Sequence, residues 1–199
     1  MPVGDVERAV AAAAAEDGIR LTPMPRVDWL NTHGHFALPA AAASALPALQ
    51  RAFDALGGDE VEQRSKRLGT LPSDLVHLES KTVVEVDELQ HFTSFRLLTL
   101  NQLPTETSDE YRALCATWSP KADRYRASKT AKGFPGTQGR ARQRAYNDLL
   151  RDLVAPLLGY QVIRIPAPLL PGPEAYAAAA SRLAHLRDAS ATSATSTTH

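Results

Sequence analysis

Asp74, Glu85 and Asp87 are the residues whose types and spacing point to chemistry. They sit in Ser73-Asp74-Leu75-Val76-His77-Leu78-Glu79-Ser80-Lys81-Thr82-Val83-Val84-Glu85-Val86-Asp87-Glu88, which reads as a β-hairpin. A two-residue turn at Ser80-Lys81 pairs Glu79 with Thr82 and Val76 with Glu85, and sets Asp74 opposite Asp87. Side chains alternate along a strand, so the three acids share one face and Leu75, Val84 and Val86 share the other. Like charges directly opposite each other are destabilising. A hard divalent cation is the usual reason for such convergence. The plainer alternative is a hairpin with one solvated face.

Hydrolysis of a phosphodiester needs charge stabilisation at phosphorus and an activated water. Mg²⁺ (or Mn²⁺) supplies both. Asp74 and Glu85 are the first-choice ligands, and Asp87 is a third ligand or a base that orients the water. His91 lies just past the strand and suits general acid–base work. Gln90 beside it could orient a water.

The basic residues are segregated. Lys121, Arg124, Arg126, Lys129, Lys132, Arg140, Arg142 and Arg144 are opposed only by Asp123 in that span. Tyr125 and Phe134 lie among them as stacking groups. Such a segment suits phosphate-backbone contact, with a solvated helix face as the alternative. The glycine-rich turn at 133–139 precedes a helix and resembles an anion site, without the P-loop pattern.

The elements that position these residues follow from periodicity and breakers. A helix is expected over 5–17, with Asp5 as N-cap and Gly18 after it. A second is expected over 39–56, with Pro47 marking a kink or a start near Ala45. Residues 60–68 alternate loosely and read as a first strand. Short helices are expected over 92–100 and, capped by Ser108, over 109–118. Tyr146, Leu149, Leu150, Leu153 and Leu157 stripe a long helix over 140–158, with Asp148 and Asp152 on its polar sides. Residues 160–165 read as a strand, and a proline-rich link leads to a last helix over 174–188. His33 and His35 flank Gly34 and could hold a metal, or simply edge a turn.

The totals fit one domain of ordinary size: 199 residues, 44% hydrophobic, 22% charged, with 22 basic and 22 acidic residues. Zero formal net charge means that an anionic partner would be met by local charge. The single cysteine, Cys115, excludes an intramolecular disulfide and a cysteine-rich zinc site, and suits the cytoplasm. No apolar run approaches a membrane span, and the start lacks the basic region of a signal peptide.

Asp74, ten intervening residues and Glu85-Val86-Asp87 resemble the core of the PD-(D/E)XK, or restriction-endonuclease-like, nucleases. Val83-Val84-Glu85-Val86-Asp87-Glu88-Leu89-Gln90-His91 is similar to the very-short-patch-repair-like endonuclease branch and its uncharacterised bacterial relatives. Tyr146 to Leu153 and Gly159 to Ile165 resemble that branch's helix and following strand. The resemblance covers roughly residues 60–165. It implies an α/β fold with a mixed central sheet flanked by helices, Mg²⁺-dependent cleavage of nucleic acid, and Asp74 and Glu85 as metal ligands. In this fold an acid ahead of the hairpin often joins the site, and Glu62 is better placed than Glu60.

Two departures stand out. The lysine of the pattern is Asp87 here, and Asp74 follows Ser73, with Pro72 one step earlier. His91, Arg96, Arg144 or Lys81 are candidates to supply the missing cation. The expected organisation is a helical N-terminal extension over 1–58, a restriction-endonuclease-like core with a C-terminal helix over 59–188, and a disordered tail over 189–199. The expected function is metal-dependent phosphodiester hydrolysis, with DNA as partner and a homodimer or partner protein where two strands are cut. The alternative is a catalytically inactive nuclease fold serving as a nucleic-acid-binding or protein-interaction subunit.

Overall fold

The computed structural model describes residues 4–187, without the side chains of residues 106 and 107. The tail at 189–199 lies outside the described residues. The chain packs as two compact units that alternate along the sequence. Residues 4–25, 72–88 and 159–187 make the first, and residues 26–71 and 89–158 make the second. The boundary drawn at 58/59 does not separate these units, because the N-terminal helix packs into the first.

The first unit is a four-stranded mixed sheet with two helices. β1 (Thr22–Pro23), β2 (Leu75–His77), β3 (Thr82–Glu88) and β4 (Gln161–Ala167) lie in that order. β1–β2 and β2–β3 are antiparallel and β3–β4 is parallel. Leu75, Val84, Val86, Ile163 and Ile165 line one face, as alternation requires. α1 (Asp5–Glu16) and α7 (Gly172–Leu183) cover that face. Val6, Val10 and Ala14 recur every four residues along α1, and Ala175, Ala179 and Leu183 do the same on α7. Small side chains bring the two helices close. Gly172 lies against Ala9 and the carbonyl oxygen of Val6, where a Cβ would collide with both. Gly4 takes the N-cap position at φ 86°, so Asp5 falls in the first turn beside Glu7, where the helix dipole favours acids.

The second unit is helical. It holds α2 (Leu46–Ala55), α3 (Glu60–Arg64), α4 (Ser94–Leu100), α5 (Thr105–Ala122) and α6 (Gly139–Leu157). The start of α2 at Leu46 fits the proline at its first turn, and a 3₁₀ turn over Ala40–Ala45 leads into it. Residues 60–64 are helix rather than strand. The Asp59 carboxylate accepts from the Glu62 N–H at 2.8 Å, which caps and starts a helix. The Ser108 cap is also corrected. α5 begins after Pro104, and the Ser108 hydroxyl donates to the Pro104 carbonyl at 2.9 Å from inside the helix. Thr93 caps α4 instead, accepting from the Arg96 N–H at 3.1 Å. Among the described residues, no helix is long and apolar enough to cross a membrane.

Tyr146 of α6 anchors an aromatic cluster with Phe53 and Phe134. A polar relay runs out of that cluster. Gln50 Nε2 donates to Asp54 Oδ1 at 2.8 Å, which turns Gln50 Oε1 toward His35. His35 Nε2–H donates to that oxygen at 2.8 Å, so Nδ1 is the acceptor for the Tyr146 hydroxyl at 2.5 Å. The pair His33 and His35 is therefore a turn with bonded polar edges, and His33 Nε2 donates to the Lys66 carbonyl at 2.7 Å. Burial holds His35 below its ordinary pKa and pushes the Tyr146 phenol up.

Two predictions follow the relay. Gly34 has φ 62°, and a Cβ there would sit 2.5 Å from the Tyr146 hydroxyl oxygen. Gly34→Ala is expected to lower stability by about 3 kcal/mol in chemical denaturation, from left-handed strain plus overpacking. His35 is neutral in the folded chain with a depressed pKa, so its stabilisation is complete above pH ~6.5 and is lost as pH falls below it. The melting-temperature advantage of wild type over His35→Gln should therefore shrink between pH 7 and pH 5.

Candidate functional site

β3 is buried on both faces from Thr82 to Asp87. Glu85 is 3% exposed and Asp87 1%, so the solvated-face alternative does not hold. The strand pairing also corrects the hairpin turn. Leu75 pairs with Val84 and His77 with Thr82, so residues 78–81 form a four-residue connection. Ser80-Lys81 alone cannot supply the two positive φ values of a tight primed turn. Lys81 alone reaches the left-handed region, at φ 51°, and its N–H donates to the Leu78 carbonyl at 3.2 Å. The register moves by two residues, which keeps every side chain on its expected face. Continued by one residue beyond β2, that register sets Asp74 toward Glu85, and Asp87 stands two residues further along β3.

Each acid meets a different donor. Asp74 Oδ2 accepts from the Val86 N–H at 2.8 Å, and the Asp74 carbonyl accepts from the Met24 N–H at 3.1 Å. Glu85 accepts from the Ser73 hydroxyl. Asp87 takes Arg164 Nη1 on both of its oxygens, at 2.9 Å each. The three do not form a set of ligand oxygens all within 4.8 Å of one another, among the described residues.

Arg164 belongs to the strand that carries the resemblance, but it is not among the expected candidates for the missing cation. The parallel register sets Val84 against Ile163, Glu85 against Arg164 and Val86 against Ile165. The two strands thus alternate in step, and a guanidinium falls on the acidic face. Matching those alternations would have exposed it. The four candidates for the missing cation are engaged or placed otherwise. Arg96 pairs with Asp152 at 2.5 Å, and Arg144 Nη1 donates to the Gln90 carbonyl at 3.4 Å. Lys81 is on the exposed hairpin connection. His91 Nδ1 lies 2.9 Å from Asp148 Oδ2, in the helical unit. Asp148 was expected on the polar side of its helix and is instead buried, with Arg151 Nη1 at 3.7 Å from its other oxygen. Glu62 belongs to α3 and accepts from the Gly133 N–H at 2.9 Å, while Glu60 pairs with Arg64.

Of the eight basic residues, Lys121, Arg124, Arg126, Lys129, Lys132 and Arg140 are exposed. Arg142 and Arg144 are half-buried and serve the fold. Arg142 donates to the carbonyls of Leu56, Pro135 and Thr137, and so ties the loop before α6 to the end of α2. Tyr125 is exposed, but Phe134 is fully buried and cannot stack on a base.

Removing one member of a buried ion pair leaves the other uncompensated. Arg164→Met is expected to destabilise the fold by about 3–5 kcal/mol. The double variant Asp87→Asn/Arg164→Met should recover much of that loss, as read by denaturant titration.

A family model matches residues 51–167, which contain Asp74, Glu85, Asp87 and Arg164. No curated protein matches the chain, and no solved structure does. The match spans more than half of the 199 residues, so the chain belongs to a family of unknown function (DUF7255).

Proposed function

We propose that this chain is a metal-dependent nuclease with a restriction-endonuclease-like core, hydrolysing phosphodiester bonds of nucleic acid, with DNA the preferred substrate. The observation that carries the reading is a row of three charged residues across adjacent strands. Glu85 on β3 and Arg164 on β4 are register partners, and Asp74, one residue before β2, accepts from the N–H of Val86, the residue after Glu85. Two acids and one cation are the composition of the restriction-endonuclease-like site that the sequence resembles, here with the cation brought from the neighbouring strand.

The donor set fits a hard cation. Mg²⁺ takes oxygen ligands and needs only one or two carboxylates. Asp74 and Glu85 would hold it. When bound, such an ion supplies charge stabilisation at phosphorus and an acidified water. The chain's own groups do the positioning. The Val86 N–H and the Ser73 hydroxyl fix the two carboxylates, each with one directed bond. Asp87 holds the Arg164 guanidinium in place, so it acts here as an anchor rather than as a third ligand. Arg164 offers positive charge to the phosphate beside the two acids. The exposed basic residues from Lys121 to Arg140 provide sequence-independent grip on the backbone.

Supercoiled plasmid tests the reading. Purified wild type should nick it with Mg²⁺ or Mn²⁺ and stop when the metal is chelated. Asp74→Ala and Glu85→Ala should fall to background while still binding DNA. Equal cleavage by those variants would sink the proposal. Salt-sensitive binding with no cleavage of DNA or RNA in any divalent ion would leave the non-catalytic binding subunit in its place.

A further inference from the structure

Lys66 follows α3, outside the basic stretch read from the sequence. Its ammonium donates to Gln63 Oε1 at 2.5 Å. Gln63 is buried, and its Nε2 donates to the Thr32 carbonyl at 2.9 Å, so the amide oxygen is turned toward the lysine. The ammonium lies against Gly133, where φ is 86° and a Cβ would sit 3.0 Å from Nζ and collide with the Gln63 oxygen. A bare backbone is what lets the charge tuck in there.

Two more cations come from the loop and the helix start that follow, and of these Arg140 donates from Nη1 to Gln143 Oε1. Lys132 Nζ donates to the Ser65 carbonyl at 3.0 Å, the residue just before Lys66. Arg140 stands in the first turn of α6, and its N–H donates to the Lys129 carbonyl at 3.1 Å, which ties it to the loop that carries Lys132. Burial holds Lys66 down at about 8, and the charges of Lys132 and Arg140 push in the same direction. Glu62 is the acid that opposes them, and its carboxylate already accepts from the Gly133 N–H. His33 meets Lys66 only at the backbone carbonyl. Among the described residues, Lys66, Lys132 and Arg140 make no ion pair with a carboxylate.

Three like charges from separate stretches, one of them half-buried, repel one another in the unliganded chain. An anion placed among them adds an attraction to each cation that offsets those repulsions. We propose that Lys66, Lys132 and Arg140 form a phosphate-binding site, and that the phosphate it takes is a backbone phosphodiester of a bound nucleic acid. The site deepens the nucleic-acid reading above and rests on it for the source of the phosphate.

The test uses the full chain in chelator, so no cleavage enters the readout. The Lys66 side-chain resonance is followed by NMR against pH, alone, with inorganic phosphate, and with a short DNA duplex. The duplex should move the midpoint upward from about 8, because bound phosphate favours the charged amine. Lys66→Met should weaken duplex binding by about tenfold at low salt and reduce the slope of log K against log salt by about one. Lys66→Arg should bind duplex at pH 9 better than wild type, since its charge persists there. An upward move with inorganic phosphate and none with duplex supports the site but assigns it to a free phosphate. No upward move with either, together with wild-type affinity in Lys66→Met, overturns it. Loss of cleavage in the Asp74 and Glu85 variants is independent of all these outcomes.

Discussion

The pairing of Asp87 with Arg164 is the interaction on which the sheet unit depends. A strand buried on both faces ordinarily carries apolar residues on both. β3 carries Glu85 and Asp87 instead, and an unpaired buried carboxylate costs several kcal/mol. The cost is offset only if donors arrive at fixed places. Arg164 arrives because β3 and β4 run parallel with Glu85 opposite it. A slip of one residue in that pairing would turn Arg164 onto the face packed by Val6, Val10 and Ala14. The ion pair and the apolar face therefore select the same register, and that register sets Glu85 beside Arg164. Structural specificity and the candidate chemistry come from one constraint.

The helical unit solves its buried polar groups in a different way. Arg96 of α4 pairs with Asp152 of α6, and Asp148 lies between His91 and Arg151, the latter one turn along the same helix. Around His35 the solution is neutral. Tyr146, His35, Gln50 and Asp54 pass hydrogen bonds in one direction, each donor having one acceptor. Only a deprotonated imidazole can complete that direction. Gly34 is the steric condition for it, since any side chain would displace the phenol. Neutral relays of this kind specify a single arrangement because each reversed bond leaves a buried group unsatisfied.

Faces were more legible in the sequence than registers or caps. Alternation placed Asp74, Glu85 and Asp87 on one side and Leu75, Val84 and Val86 on the other, and the observed two-residue shift preserves that parity. The turn was not legible, because Ser80 and Lys81 give no strong turn signal and the chain takes four residues instead of two. Residues 60–68 looked strand-like from loose alternation, although Val61 is 79% exposed. Asp59 followed by Glu62 is an N-cap spacing that would have marked the helix. Asp148 lay beyond local patterning. Its helix shows it on a polar side, and only tertiary partners make its burial tolerable. Arg142 illustrates the same limit, since an arginine in a basic run gives no local sign that three carbonyls will claim it.

Net charge hides what the charges do. The chain sums to zero, yet β3 carries Glu85 and Asp87 in its buried stretch and Lys66 is tucked against Gly133. Separation of this kind is unfavourable within each cluster, so it must be held by packing that the rest of the chain supplies. At Gly133 that packing is a glycine with positive φ and an oriented amide. On β3 it is a strand register with an arginine in step. In both places the surrounding structure fixes a charged group, Lys66 on Gln63 and Arg164 on Asp87. A charged group held in this way needs no further ordering of its own side chain to meet an opposite charge, which is the physical condition for preorganised binding.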